Sequence, residues 1–354
     1  MKILSVSSFY NALTPPEGYG GMERFIHYIN NSFVKDAKID TTVLCPTGSK
    51  GGLYKTLCCD KEQLPDVFKQ TVGAIQPDII HNHMRDTKLF EVFPLDLPVV
   101  TTIHANIRKS SSWIPYINTR KNNHFFVAIS NSHKERVLEA MRENRLTIND
   151  DDIYMCGYGM DITPYKLSKK NSCTGDYYIY IGAIAPYKGV LDIALAFKNI
   201  NEKIVIVGPC TNEDERPYFN KVIELTQECK NIEYYGEAKT EEEKIKLLKK
   251  AKGSIIASGY SSHDADYYEA FGLVMLEANA VGVPVIGFNK GNISDYIIDG
   301  INGYKFDNIS ELPELIEKVN RNDMLAGSLE VSERYRISEI TKKYLELFNC
   351  IRRV

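Results

Sequence analysis

A chain of 354 residues with 44% hydrophobic and 25% charged residues lies in the globular range and is long enough for two cores. Its formal net charge of −3 gives no global pull toward nucleic acid, which is not expected as a partner. The eight cysteines are scattered without a C-x-x-C spacing, which fits a reducing compartment and argues against a structural zinc site.

The opening run Met1–Ser8 turns polar too early for a secretion signal, and no window approaches the roughly 18 apolar residues of a membrane span, so a cytoplasmic protein is expected. From there, β-branched runs alternate with helix-period segments. Strands are expected at Lys2–Ser7, Thr41–Cys45, Ile79–His81, Val99–Ile103 and Phe125–Ile129. Helices are expected at Glu23–Val34, Glu62–Ile75 and His133–Asn144. A polar, irregular stretch near Asp161–Asp176 has the composition of a linker. The rhythm then resumes with strands at Tyr178–Gly182, Ile204–Gly208, Ile232–Tyr235, Ser254–Ala257 and Val285–Phe288. The matching helices are Val190–Asn199, Pro217–Cys229, Glu241–Lys250 and Glu269–Ala280, and one amphipathic helix over Leu329–Cys350 closes the chain. Apolar runs of this kind are buried parallel strands, and the helices between them are crossovers, so the class is α/β with doubly wound sheets.

The stretch richest in chemistry runs from Tyr268 to Ile286. Glu269 precedes Phe271-Gly272-Leu273, where a helix is expected to open and three successive amides would form an anion site. Gly272 permits close approach of a ligand to the backbone. Glu277 lies about one and a half turns further on, where its carboxylate could accept the two hydroxyls of a ribose. An ordinary amphipathic helix with a solvated glutamate is the plainer alternative. Two glutamates eight apart around Phe-Gly-Leu, followed by Gly-x-Pro-Val-Ile, resemble the signature of retaining glycosyltransferases of family 4, which have the GT-B fold. The resemblance runs from about residue 1 to 306.

That resemblance implies two Rossmann-like domains facing across a cleft: residues 1–162 for the acceptor, 163–328 for the nucleotide sugar, and a final helix 329–354 packing back on the first. Glu269 would contact the donor sugar and support the transition state, and Glu277 would hold the ribose. Gly18–Glu23 looks like the family's Gly-Gly-x-Glu, so the amides of Gly20 and Gly21 would face the donor phosphate. A dinucleotide fingerprint fits poorly, because Ser5–Glu17 separates strand and glycines. His81 and His83 form the family's His-x-His, read as packing rather than as metal ligands, while His104 would contact the transferred sugar. Lys188, at a helix opening, would pair with the diphosphate as a point charge. The family's arginine after the first glycine is Ala183 here, one cation fewer. Glu237, in Gly236-Glu237-Ala238, would lie beside the nucleobase.

Two further stretches carry signals of other chemistry. Asp264-Ala265-Asp266 looks like the Asp-x-Asp metal site of a different glycosyltransferase architecture, but the surrounding motifs point elsewhere, so no metal and no other cofactor is expected. Leu97–Lys134 holds Arg108, Lys109, Arg120 and Lys121 around Trp113, Ile114, Tyr116 and Ile117. It reads as a surface helix with a buried apolar face, with weak membrane-surface contact through residues 105–121 as the alternative. The expected activity is therefore transfer of a sugar, with retention, from a UDP- or GDP-sugar to a carbohydrate, lipid-linked or protein acceptor. The alternatives are another GT-B enzyme, such as a sugar-nucleotide epimerase or phosphorylase, or a weakened nucleotide-sugar binding module.

Overall fold

The apolar runs assemble into two parallel sheets, each with its own core. The computed structural model describes residues 1–10, 13–18, 20–85, 89, 92, 96–107, 113, 117, 123–146, 151, 153–166, 175–260 and 267–352. The chain divides into unit 1, Met1–Asp161 with Arg336–Val354, and unit 2, Ile162–Tyr335.

In unit 1 the elements are β1 (Lys2–Val6), α1 (Gly21–Lys35), β2 (Asp40–Pro46), β3 (Lys55–Cys59), α2 (Leu64–Ile75), β4 (Ile79–Asn82), β5 (Val99–Thr102), β6 (His124–Ala128), α3 (Asn131–Glu143) and β7 (Ile153–Met155). The sheet order is β3-β2-β1-β4-β5-β6-β7, with every pair parallel. Ile3, Leu4, Val6, Ile79, Ile80, Val99 and Val100 are fully buried, as strands covered on both faces require.

Unit 2 repeats the plan with β8 (Tyr177–Ile181), α4 (Val190–Phe197), β9 (Ile204–Val207), α5 (Arg216–Glu228), β10 (Ile232–Gly236), α6 (Glu241–Leu248), β11 (Ala251–Ile256), α7 (Leu273–Ala280), β12 (Val285–Phe288), α8 (Asn292–Tyr296), β13 (Gly303–Phe306), α9 (Leu312–Arg321) and α10 (Leu325–Arg334). Its order is β10-β9-β8-β11-β12-β13, again parallel. Both sheets are doubly wound, and their connections reverse direction between β1 and β4 and between β8 and β11. Ligands of such sheets bind at the carboxyl ends of the strands flanking that reversal. The loops after β1, β4, β8 and β11 are the ones that carry the glycine, histidine, Lys188 and Glu269 motifs.

The structure departs from expectation in three places. Strands β3, β7 and β13 were not anticipated: β3 is a half-exposed edge strand, β7 has three residues, and β13 reads Gly-Tyr-Lys-Phe without a β-branched residue. The expected helix over Leu329–Cys350 is two helices, α10 and then α11 (Ile337–Ile351). At the break the Ile337 amide donates to the Met160 carbonyl, and the chain passes from unit 2 back to unit 1. No Gly or Pro marks the break, but the buried face changes there, from Ser328, Val331 and Ser332 to Ile337, Ile340 and Tyr344, out of phase for one continuous helix. Finally, the helix expected over Glu269–Ala280 begins only at Leu273. Gly272, at φ 82°, turns the chain through the left-handed region and leaves Glu269–Phe271 ahead of the helix.

Within unit 1, α11 packs against α1. The Tyr344 hydroxyl lies 3.1 Å from Thr102 Oγ1, Thr341 donates to Ser32 at 2.8 Å, and Phe348 packs on Phe33 and His81.

Candidate functional site

In unit 2, β8 ends at Ile181 and the chain makes a short turn, Pro186–Lys188, before α4. β11 ends at Ile256, and Ser258 follows it. These two strands are neighbours, so their loops meet. The Glu269 Oε2 atom accepts hydrogen bonds from Lys188 Nζ and from Ser258 Oγ, each at 2.7 Å. The Lys188 and Glu269 side chains are only 13% and 16% exposed. The ammonium also lies over the rings of Tyr187 and Tyr267, at 5.8 and 5.6 Å from their centroids, and those rings are 4.8 Å apart. A charge so enclosed is held in one place before any ligand arrives, which is the condition for electrostatic preorganisation.

The backbone behind Glu269 is tied down by Asn292, the first residue of α8. Its amide donates to the Glu269 carbonyl at 2.9 Å, and its side chain donates to the Phe271 carbonyl at 2.6 Å. Of the three amides expected as an anion site, only that of Leu273 belongs to α7, and Gly272 is its N-cap. Leu273, rather than Phe271, is the first helical residue, and the Met275 amide is already bonded to the Gly272 carbonyl at 3.0 Å. A methyl on Gly272 would stand 2.9 Å from Glu269 Cγ, so this glycine also fixes how closely the glutamate lies against the helix start.

Further along α7, Glu277 is buried and bonded to Lys244 of α6. Glu237 is exposed just beyond β10. Ala183 is fully buried, its carbonyl accepting from the Tyr180 hydroxyl at 2.7 Å. The Asp264–Asp266 stretch lies outside the described residues, as does most of 105–121. Among the described residues, no group of three or more His, Cys, Asp or Glu is placed to hold a metal ion. No helix among them is long and apolar enough to cross a membrane.

In unit 1, Gly20 precedes α1 at φ 151° and Gly21 opens it. A methyl on Gly20 would stand 2.7 Å from Pro16 Cβ and 3.2 Å from Glu23 Oε2. Glu23 is folded under this loop, and burial raises its carboxyl above the usual range. The histidines form one cluster at the ends of β4 and β5. His83 Nδ1 faces His104 Nε2 at 2.9 Å, and His104 Nδ1 faces the Tyr158 hydroxyl at 2.9 Å. His83 Nε2 is buried without a partner. A bare acceptor there costs less than a bare N–H, so the proton sits on His83 Nδ1 and passes the donor role to His104 Nδ1. Burial holds both imidazoles well below their ordinary range, hence neutral. His104 therefore has both nitrogens engaged, and any ligand it meets must displace one of these partners. His81 is fully buried and bonded to Thr102 Oγ1 at 3.0 Å.

Sequence reasoning did not find Ser258, Tyr267, Asn292 or Lys244. Ser258 was signalled by being the first polar residue after the apolar run of β11. The other three depend on contacts between distant elements and left no local pattern.

The sequence matches the family of glycosyl transferases group 1 over residues 166–343. It is similar to the lipopolysaccharide 1,2-N-acetylglucosaminetransferase of Salmonella typhimurium, 29% identical over 172 residues, which make up 46% of this chain and 42% of that protein. The matched stretch spans less than half of that relative's length. Similarity to the glycogen synthase of Mycobacterium tuberculosis is 22% over 362 residues, covering 86% of this chain and 81% of that one. The fold is shared with Anabaena HepE, solved in complex with UDP-glucose, at a TM-score of 0.72 and 16% identity, covering 99% of this chain and 100% of that chain.

Proposed function

We propose that this chain, which belongs to the glycosyl transferases group 1 family, transfers a sugar with retention from a nucleotide-diphosphate sugar, without a metal ion. The observation that carries the proposal is the Lys188–Glu269–Ser258 cluster, at the carboxyl edge where β8 and β11 meet. A UDP- or GDP-sugar would place its diphosphate against the Lys188 ammonium and the first amides of α7. Developing charge on the leaving diphosphate is then met by a fixed cation. Glu269, oriented by two hydrogen bonds and by Asn292 behind it, would face the sugar, and Glu277 the ribose. Glu237, Gly20, Gly21 and His104 keep the roles that the family-4 resemblance implies for them, and those roles are part of the proposal. The acceptor is a carbohydrate, lipid-linked or protein hydroxyl.

The Salmonella relative is named as an N-acetylglucosaminetransferase and the Mycobacterium one as a glycogen synthase, and HepE was solved in complex with UDP-glucose. These support a nucleotide-sugar donor. The test is the anomeric configuration of the product by NMR, with the rate followed with and without EDTA. We expect the donor's configuration to be kept and the rate to survive EDTA. An inverted product overturns retention, and a rate that collapses with EDTA and returns with Mn²⁺ overturns the metal-free reading.

A further inference from the structure

We propose that Lys244 and Glu277 together form a diol-reading pair that makes this site selective for ribonucleotides over 2′-deoxyribonucleotides. The inference rests on the nucleotide-sugar reading of unit 2 and adds to it a residue and a specificity.

Lys244 stands on α6 four residues before Leu248, so it shares the helix stripe that faces the core. Leu248 is fully buried and Ile245 nearly so. A lysine in such a stripe is normally excluded or snorkels out to water. Here it turns inward and meets Glu277 of α7, and the two side chains are 12% and 5% exposed. Replacing such a pair by apolar residues is often neutral or stabilising, so stability alone is a weak reason for it.

The pair also leaves hydrogen-bonding capacity unused. Lys244 Nζ bonds Glu277 Oε1, and among the described residues neither side chain makes a further hydrogen bond. An ammonium has three donors and a carboxylate about four acceptor positions. What remains is a donor and an acceptor side by side, fixed by two helices. A vicinal diol offers the complement: one hydroxyl donates to Glu277 while its neighbour accepts from Lys244. A nucleotide lacking the 2′-hydroxyl leaves one of these nearly buried groups unmatched. Sites built to bond a hydroxyl discriminate strongly against analogues that lack it.

α6 is anchored to hold this geometry. Its cap Thr240 accepts from the Glu243 amide at 3.1 Å, and the Glu243 carboxylate in turn accepts from the Lys239 amide at 2.8 Å and the Tyr235 hydroxyl at 2.7 Å.

The experiment is calorimetric titration of the full chain with UDP, GDP and ADP, then with the 2′-deoxy form of the tightest binder. The wild type, Lys244→Met and Lys244→Gln are compared, with ligand-free melts confirming that each variant folds. Wild type should prefer the ribonucleotide by at least about tenfold. That ratio should fall toward one in Lys244→Met, with Lys244→Gln between them because its amide still donates. A purely structural ion pair would weaken both nucleotides alike and leave the ratio unchanged. A ratio preserved in both variants overturns the inference while leaving the nucleotide site standing. Absence of binding by any nucleoside diphosphate to the wild type overturns the inference and the underlying reading together.

Discussion

Buried imidazoles decide how unit 1 responds to acid. Burial holds His81 at about 3 and His133 at about 4, and burial with the nearby Arg24 holds His27 at about 4. His83 and His104 are also pushed well below their ordinary range. In the unfolded chain each returns to near 6.5. Below that value the unfolded state binds more protons than the folded one, so stability falls as pH falls. The loss accumulates as pH falls from about 6.5 toward about 4. Glu23 acts in the opposite sense, since its raised carboxyl favours the folded state at low pH. The histidines outnumber it. Trp113, the single tryptophan, is buried in the unit 1 core, so its fluorescence reports on this unit. Its urea midpoint should be clearly lower at pH 5 than at pH 7. A midpoint that is unchanged or higher at pH 5 would mean that these imidazoles are not neutral and buried as described.

At the scale of elements, the opening of α7 is where geometry and chemistry meet. Gly272 adopts φ 82°, which costs an L-residue about 1–2 kcal/mol. A Cβ there would also stand 2.9 Å from Glu269 Cγ and from Met275 Cε. Gly272→Ala should therefore lower stability by about 1–2 kcal/mol and reduce turnover more than that figure suggests, because it moves Glu269 off Lys188 and Ser258. Chemical denaturation and initial rates measured together check this, and unchanged rates in a destabilised variant would detach Glu269 from the helix start. The glycine, both glutamates and Lys188 were legible in the sequence because they stand in short, ordered motifs around predicted strand ends. The doubly wound class was legible for a similar reason: runs such as Ile3–Val6 and Ile204–Val207 can be little else. The exact start of α7 was not, since Glu269–Phe271 has no residue that forbids a helix and only the left-handed turn at Gly272 ends it. Lys244 was hidden because its partner lies 33 residues away on another helix. Ala183, one cation fewer than the family pattern, is fully buried.

At the scale of the molecule, the two units differ in how the chain builds them. Unit 2 is one continuous stretch, Ile162–Tyr335, whereas unit 1 needs both ends of the sequence. α11 supplies Tyr344, Thr341 and Phe348 to the unit 1 core, next to the same Thr102 that holds His81. The break between α10 and α11 is thus where the chain changes units, and the buried face shifts with it from Val331 to Ile337. The family match, residues 166–343, falls mainly on the continuous unit, the one that carries Lys188, Glu269 and Glu277. The central claim is that this unit binds a nucleoside diphosphate through Lys188. Its most direct test is calorimetric titration of the full chain and of Lys188→Ala with UDP, GDP and ADP. We expect one of the three to bind the wild type, and Lys188→Ala to bind it at least about tenfold more weakly, in line with loss of a charged hydrogen bond worth about 1.5–3 kcal/mol. Equal affinity in the two proteins, or no binding by any of the three, would contradict the account.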